Sequence, residues 1–230
     1  MNAPFPFSGK QKMSELLNND FSLLGVLTRM GIPFGFGDAS VEDVCRKSGV
    51  NTQAFLLICS IYTLDGYVPP RELLKDVDVR DIVKYLHRSH RWYMEEFIES
   101  LSDALKEMTA PCSEKYHLII RKFLGDYREE LAKHFAYEEE IVFPYVERLL
   151  AGNEGCDFSI LQYEKNHSNI QEKLEDLKSL VMKYMPGICE SRSIFRALYY
   201  IYALERDLSR HTFIEDSILV PLVSRMESHE

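Results

Sequence analysis

One pattern occurs twice in this chain, both times on a helical period. His134, Glu138, Ile141 and Pro144 in HFAYEEEIVFP, and His211, Glu215, Ile218 and Pro221 in HTFIEDSILVP, stand at offsets 0, 4, 7 and 10. Residues at i, i+4 and i+7 share one face of an α-helix. The isoleucine is apolar and marks that face as the one turned to a core, so the histidine and glutamate are expected to point inward with it. A lone histidine precedes each copy: His87 lies 47 residues before His134, and His167 lies 44 before His211. The second half thus repeats the first as a helix pair carrying His, then His-x-x-x-Glu.

The rest of the chain agrees with helices. Ile82, Tyr85 and Leu86, Ile119, Ile120 and Phe123, and Leu174, Leu177 and Val181 recur at helical spacing, and no stretch alternates with period two. The fold class expected is all-α. Four long helices are predicted: from the Asp78 cap to about Thr109, from Ser113 to Leu150, from Asp157 to Tyr184, and from Glu190 to the C-terminus. Helices of some thirty residues span ~45 Å, and four of them on short loops make an up-down-up-down bundle. Glycine and proline crowd the first seventy residues, so a boundary is placed near Val77. Residues 1–77 form a small helical domain and 78–230 the bundle. In the small domain Asn19 or Asp20 caps a helix that Gly31 stops. Ser40 with Asp43 caps a second that ends before Gly49, and Asn51 caps a third that Gly66 stops.

Burying four imidazoles and two carboxylates is costly unless they pair or bind metal. A glutamate bonded to a neighbouring histidine would explain any one site; a two-fold repeat of the same constellation favours metal. Neutral imidazole with carboxylate suits first-row metals, iron above all, with manganese left open. If His87, His134, Glu138, His167, His211 and Glu215 hold two ions with both glutamates bridging, and an oxo or hydroxo group bridges as well, one position stays open on each ion. A ferritin-like centre is not expected, because four histidines are one or two too many for its pattern; Glu164 stands in a Glu-x-x-His with His167. Glu164 and Glu130 are candidates to orient the neighbouring histidines, with a solvated surface role as the alternative. His117 and His229 are read as surface residues, and Pro144 and Pro221 as shaping the helix just past the ligands.

Composition excludes several classes. A net charge of −9 argues against a protein that grips phosphate backbones. No apolar run approaches the ~20 residues a membrane span needs, and the N-terminus lacks a signal-peptide core. The five cysteines, Cys45, Cys59, Cys112, Cys156 and Cys189, are scattered without a CxxC pair, so no disulfide framework is indicated and a cytoplasmic, thiol-reduced protein is expected. VEDVCRKSGVNTQAFLLICSIY has a helix-turn-helix cadence, but Thr52 to Asp65 holds no Lys or Arg with which to read DNA. A transcription regulator is the weakest reading.

LHRSHR, HFAYEEEIVFP, YEKNH and HTFIEDSILVP together resemble the hemerythrin-like HHE cation-binding proteins over residues 79 to 226. Within them the chain is most similar to the iron-sulfur cluster repair, or repair-of-iron-centres, family. The resemblance implies a non-haem di-iron centre on His87, His134, Glu138, His167, His211 and Glu215. His87 and His211 would serve one iron, His134 and His167 the other, and both glutamates would bridge. The oxygen carriers use a fifth histidine that has no place here; His90, one turn from His87, is read as a supporting or structural residue. The resemblance implies nitric oxide and dioxygen as small ligands, a reductase-type chemistry toward nitric oxide, and apo or damaged iron-sulfur proteins as partners. A homodimer is compatible with it, and an oxygen, redox or nitric oxide sensor is the alternative role. LLGVLTRMGIPFGFGD followed by VEDVCRKSGV resembles the family's small N-terminal domain, yet Gly35-Phe36-Gly37 stands where that domain carries a cysteine pair. Cys45 and Cys59 are read as buried fillers.

Overall fold

Short polar residues and glycines punctuate the N-terminal part at the positions their chemistry suggests. In the computed structural model, which describes residues 6–152, 158–164 and 170–228, α1 is Met13–Leu17, α2 Leu23–Met30, α3 Val41–Ser48 and α4 Thr52–Thr63. The Ser40 hydroxyl accepts from the Asp43 amide at 3.1 Å, and the Asn51 side chain accepts from the Ala54 amide at 2.8 Å. Both side chains satisfy an amide that the first helical turn leaves open. Gly31 ends α2 at φ +73°, and the Arg88 guanidinium lies where its Cβ would be. A short 3₁₀ turn, Arg71–Asp76, leads into the long helices. The α1 helix and this turn are absent from the sequence reading. Each is only five or six residues long, too few to display a period.

The described parts of the long helices fall where expected, and three of these helices change pitch part-way. Helix α5 (Val79–Trp92) passes through a π-helical turn, Tyr93–Phe97, into α6 (Ile98–Thr109). Helix α7 (Glu114–Tyr137) passes through Glu138–Val142 into α8 (Phe143–Leu150). After α9 (Ile160–Glu164) and α10 (Ile170–Tyr184), α11 (Ser191–Ile214) passes through Glu215–Leu219 into α12 (Val220–Glu227). In the turns the amides of Ile98, Phe143 and Val220 reach back five residues, to the carbonyls of Tyr93, Glu138 and Glu215. Pro144 and Pro221 each follow such a turn by two residues. A proline ring clashes with the carbonyl four residues back, here Glu140 and Ser217, the middle residue of each turn, and the wider π pitch relieves that clash. The Tyr93–Phe97 turn has no such proline. Among the described residues no strand occurs, only an isolated bridge between Lys12 and Ser40, and no helix is long and apolar enough to cross a membrane.

Contacts group the chain into two compact units. One comprises Met1–Ser89, Val146–Leu161 and Thr212–Glu230. Within it α4 is buried without a break from Ala54 to Tyr62, so the helix that a DNA-reading interpretation would offer to a groove is interior. Arg29 lies against the faces of Tyr62 and Tyr85 at 5.4 and 5.1 Å and donates to the Tyr62 hydroxyl at 3.1 Å. Tyr85 donates to Tyr62 at 2.9 Å. This network ties α2 and α4 to the first turns of α5. The Glu227 carboxylate accepts from the Ile160 amide at 2.8 Å, closing the start of α9.

The other unit comprises His90–Tyr145 and Gln162–His211. Its core draws on α6, α7, α10 and α11 together, through Leu101, Leu105 and Met108, Ile120, Tyr127 and Leu131, Leu174 and Leu177, and Ala197, Ile201 and Leu204.

Candidate metal centre

The histidines and glutamates of the repeat stand at the changes of pitch. Glu138 and Glu215 each open a π turn, with His134 and His211 one turn earlier on α7 and α11. His90 comes three residues before the π turn that follows α5. Helix α5 shows why His90, and not His87, turns inward. Its buried positions include Ile82, Leu86, Ser89 and His90, a face that Tyr93 continues just past its end, whereas His87 falls with Arg80, Lys84, Arg88 and Arg91 on the exposed face. His87 is therefore exposed, while His90 takes the interior place that the sequence reading assigned to His87.

The atoms converge closely. His90 Nε2 lies 3.1 Å from His211 Nε2 and 2.9 Å from Glu138 Oε2. His134 Nε2 lies 2.9 Å from Glu138 Oε1, and the Tyr163 hydroxyl donates to that same oxygen at 2.8 Å. Glu215 stands one turn beyond His211 on the same unbroken helix. One ligand atom from each of His90, Glu138, His211 and Glu215 lies within 4.8 Å of every other, and all four residues are buried. His134 is 11% exposed at its side chain. Of the six residues read as ligands, the structure brings His134, Glu138, His211 and Glu215 together and leaves His87 outside. His167, with the side chain of Glu164, His229 and Cys156, lies outside the described residues.

The surroundings hold the donors in place. His90 is stacked between Phe135, at 4.1 Å between ring centres, and Phe143, at 5.5 Å. Tyr93 presents its ring to His211 at 5.5 Å and hydrogen-bonds Asp207, one turn before His211. His90 Nδ1 lies 2.7 Å from Glu139 Oε1. A carboxylate can only accept, so Nδ1 carries the proton and the neutral ring turns its Nε2 lone pair toward Glu138 and His211. This is the tautomer and the outer carboxylate partner typical of a metal-bound histidine. Lone pairs so opposed need a cation among them, and either a second proton on His90 or a metal ion meets that need. The donor set therefore fits a metal. Burial alone would push the Glu138 carboxyl up; contacts from His134 and His90 outweigh it and hold the carboxyl well below its usual range. Burial, reinforced by His90, holds His211 well below its ordinary value and keeps it neutral.

Other residues of the sequence reading find different partners. Glu130 pairs with Lys173. His117 is half-buried beside Thr109 in a groove between α6 and α7. The marker isoleucine holds in one copy only: Ile218 is buried, but Ile141 is 41% exposed, although both are the fourth residue of a π turn, so what packs against each turn makes the difference. His90 is the member of the buried cluster that sequence reasoning passed over, and the spacing held the signal. His90 lies 44 residues before His134, the same interval as His167 to His211.

Helices with a buried, histidine- and carboxylate-lined centre on a two-fold repeat define an all-α cation-binding class. A family model described as the Hemerythrin HHE cation binding domain matches residues 79–223, and the chain belongs to that family. Among curated proteins, it is 24% identical to the iron-sulfur cluster repair protein ScdA of Staphylococcus haemolyticus (strain JCSC1435) over 201 residues, 84% of this chain and 89% of that one. It is 26% identical to the iron-sulfur cluster repair protein YtfE of Pectobacterium carotovorum subsp. carotovorum (strain PC1) over 160 residues, 66% of this chain and 69% of that one. It is 31% identical to the protein of the same name from Yersinia pseudotuberculosis serotype IB (strain PB1/+) over 102 residues, 43% of this chain and 44% of that one.

Proposed function

We propose that this chain is a non-haem di-iron protein of the oxidative and nitrosative stress response, which handles iron for damaged iron-sulfur clusters in the cytoplasm. The observation that carries this reading is the buried convergence of His90, Glu138, His211 and Glu215, taken with relatives named for cluster repair. His90, His134, Glu138, His167, His211 and Glu215 would hold the metal. This set replaces His87 by His90 and restores an equal spacing in the two halves. The same symmetry extends outward, because Asp216 follows His167 by the 49 residues that separate Glu139 from His90. When bound, iron supplies a redox-active centre open to small diatomics such as nitric oxide and dioxygen.

The protein's own part is to prepare that place. Glu139 keeps the His90 lone pair aimed inward, Tyr163 steadies one oxygen of Glu138, and Phe135, Phe143 and Tyr93 exclude water from the rings. A metal ion and protons compete for the same imidazole nitrogens. Labile iron follows from this competition, since each proton returned to His90 removes a donor.

The test is metal analysis of the full chain purified with iron, followed by transfer. Close to two irons per chain are expected, falling sharply in His90→Ala and little in His87→Ala. Mixing iron-loaded protein with a peroxide-damaged [4Fe–4S] dehydratase should restore the dehydratase while iron leaves the donor. Iron that stays in place while the protein changes conformation on oxidation would replace repair by sensing. Full metal in His90→Ala would dismiss the centre itself.

A further inference from the structure

Far along the helices from the histidines, two cysteines that the sequence separates by 77 residues meet with their sulfurs 2.9 Å apart. Cys112 sits in the turn after α6, its amide bonded to the Thr109 carbonyl at 2.8 Å. Cys189 sits in the turn before α11, its amide bonded to the Pro186 carbonyl at 3.0 Å. Both turns belong to the same compact unit. A disulfide bond measures about 2.05 Å, so closing the gap takes less than an ångström of side-chain rotation. The two thiols differ in access: Cys112 is half-buried at the surface, whereas Cys189 is 7% exposed. One sulfur can meet a small oxidant and the other waits behind it, the arrangement of an attacking and a resolving thiol.

We propose that Cys112 and Cys189 form a redox-active dithiol that a hydroperoxide closes to a disulfide, tethering the α6–α7 turn to the start of α11. The Cys112 thiolate attacks one oxygen of hydrogen peroxide, the O–O bond breaks, hydroxide leaves, and a sulfenic acid remains on Cys112. The Cys189 sulfur then attacks the Cys112 sulfur. The S–S bond forms, the S–O bond breaks, and the departing hydroxide takes up the Cys189 proton as water. Two thiols lose two electrons and two protons, and one peroxide becomes two waters. A small neutral oxidant fits the narrow access better than a bulky disulfide such as oxidised glutathione. Burial, helped by the neighbouring Cys189, pushes the Cys112 thiol up to about 11, which leaves about one thiolate in ten thousand at neutral pH. The pair therefore answers sustained peroxide, not a brief pulse. Cys45 and Cys59 are buried, with thiols raised further by burial, and are inert by the same reasoning.

The experiment uses the full chain, reduced and freed of reductant, then treated with hydrogen peroxide at neutral pH. Intact mass should fall by two hydrogens, and peptide mapping should join the segment holding Cys112 to that holding Cys189. Thermal melts should shift upward by roughly 5–10 °C, and dithiothreitol should reverse the shift. Cys189→Ser, or Cys189→Ala should serine disturb the fold, should give no link and should leave a Cys112 sulfenic acid that dimedone captures. Cys112→Ser should give neither product. A cross-link joining other cysteines, or overoxidation of Cys112 in the unsubstituted protein without any link, would overturn the proposal. Neither result depends on iron content, so the outcome is separable from the fate of the metal centre.

Discussion

A single carboxylate decides which way a buried imidazole faces. Glu139 stands outside the cluster, yet its hydrogen bond to His90 Nδ1 selects the tautomer whose other nitrogen points inward. Glu139→Gln keeps the shape and removes the charge. It is expected to lower iron affinity by roughly 10–100-fold, read by competition with a chelator, while the metal-free protein melts within a degree or two of the parent. Two buried groups also set how the metal-free protein responds to acid. His211 is held below its ordinary value, so the unfolded chain gains a proton near pH ~6.5 that the folded chain refuses. Stability is lost as pH falls from there, by up to ~1.4 kcal/mol per pH unit. Glu138 is held below its unfolded value, so its contribution is complete above pH ~4.3 and is lost as pH falls toward its folded value. Chelator-treated protein is therefore expected to melt lower at pH 6 and lower again at pH 5 than at 7.5; equal melting temperatures at all three would contradict the burial of His211.

Helix ends and helix pitch were legible to different degrees. Ser40, Asn51, Gly31 and Gly49 act at a terminus through a local hydrogen bond or a positive φ, and local chemistry can be read from the chain. The Asn51 cap can be tested alone, because the Asn51 amide that donates to Asp81 belongs to the backbone and survives substitution. Asn51→Ala is expected to cost about 1 kcal/mol in denaturant unfolding of the metal-free protein, with little change in far-ultraviolet dichroism. The π turns were not legible as such. Pro144 and Pro221 signal a disturbance, but whether a helix answers by kinking, breaking or widening depends on what packs against it. The Tyr93–Phe97 turn shows that packing can produce the same pitch without a proline. Each turn shifts the phase of the following residues alike, so packing and not pitch decides that an isoleucine at one offset is buried after Glu215 and exposed after Glu138.

At the scale of the molecule, punctuation and packing divide the chain at different places. Prolines and glycines thin out after Val77, which suggests a boundary there. Contacts carry the first turns of α5, through Tyr85 and Ser89, into the same unit as α2 and α4. A fragment of residues 78–230 would bare Tyr85 and Leu86 and remove Arg29 and Tyr62. It is expected to unfold at lower denaturant than the full chain or to associate in solution, as gel filtration and urea titration would show; a monomeric fragment with undiminished stability would favour the boundary at Val77.

What the chain determines unaided is whatever depends on neighbours a few residues away: helical period, caps, and the paired His-x-x-x-Glu that marks a metal-binding family. The equal 44-residue intervals in the sequence already point to His90, but which of two histidines three residues apart lies inside was decided by the tertiary structure, where the helix is rotated against its neighbours and one face closes. The meeting of Cys112 with Cys189 lies beyond sequence reading. Nothing local connects residues so far apart, and only the packing of the helices that carry their two turns brings those sulfurs within reach.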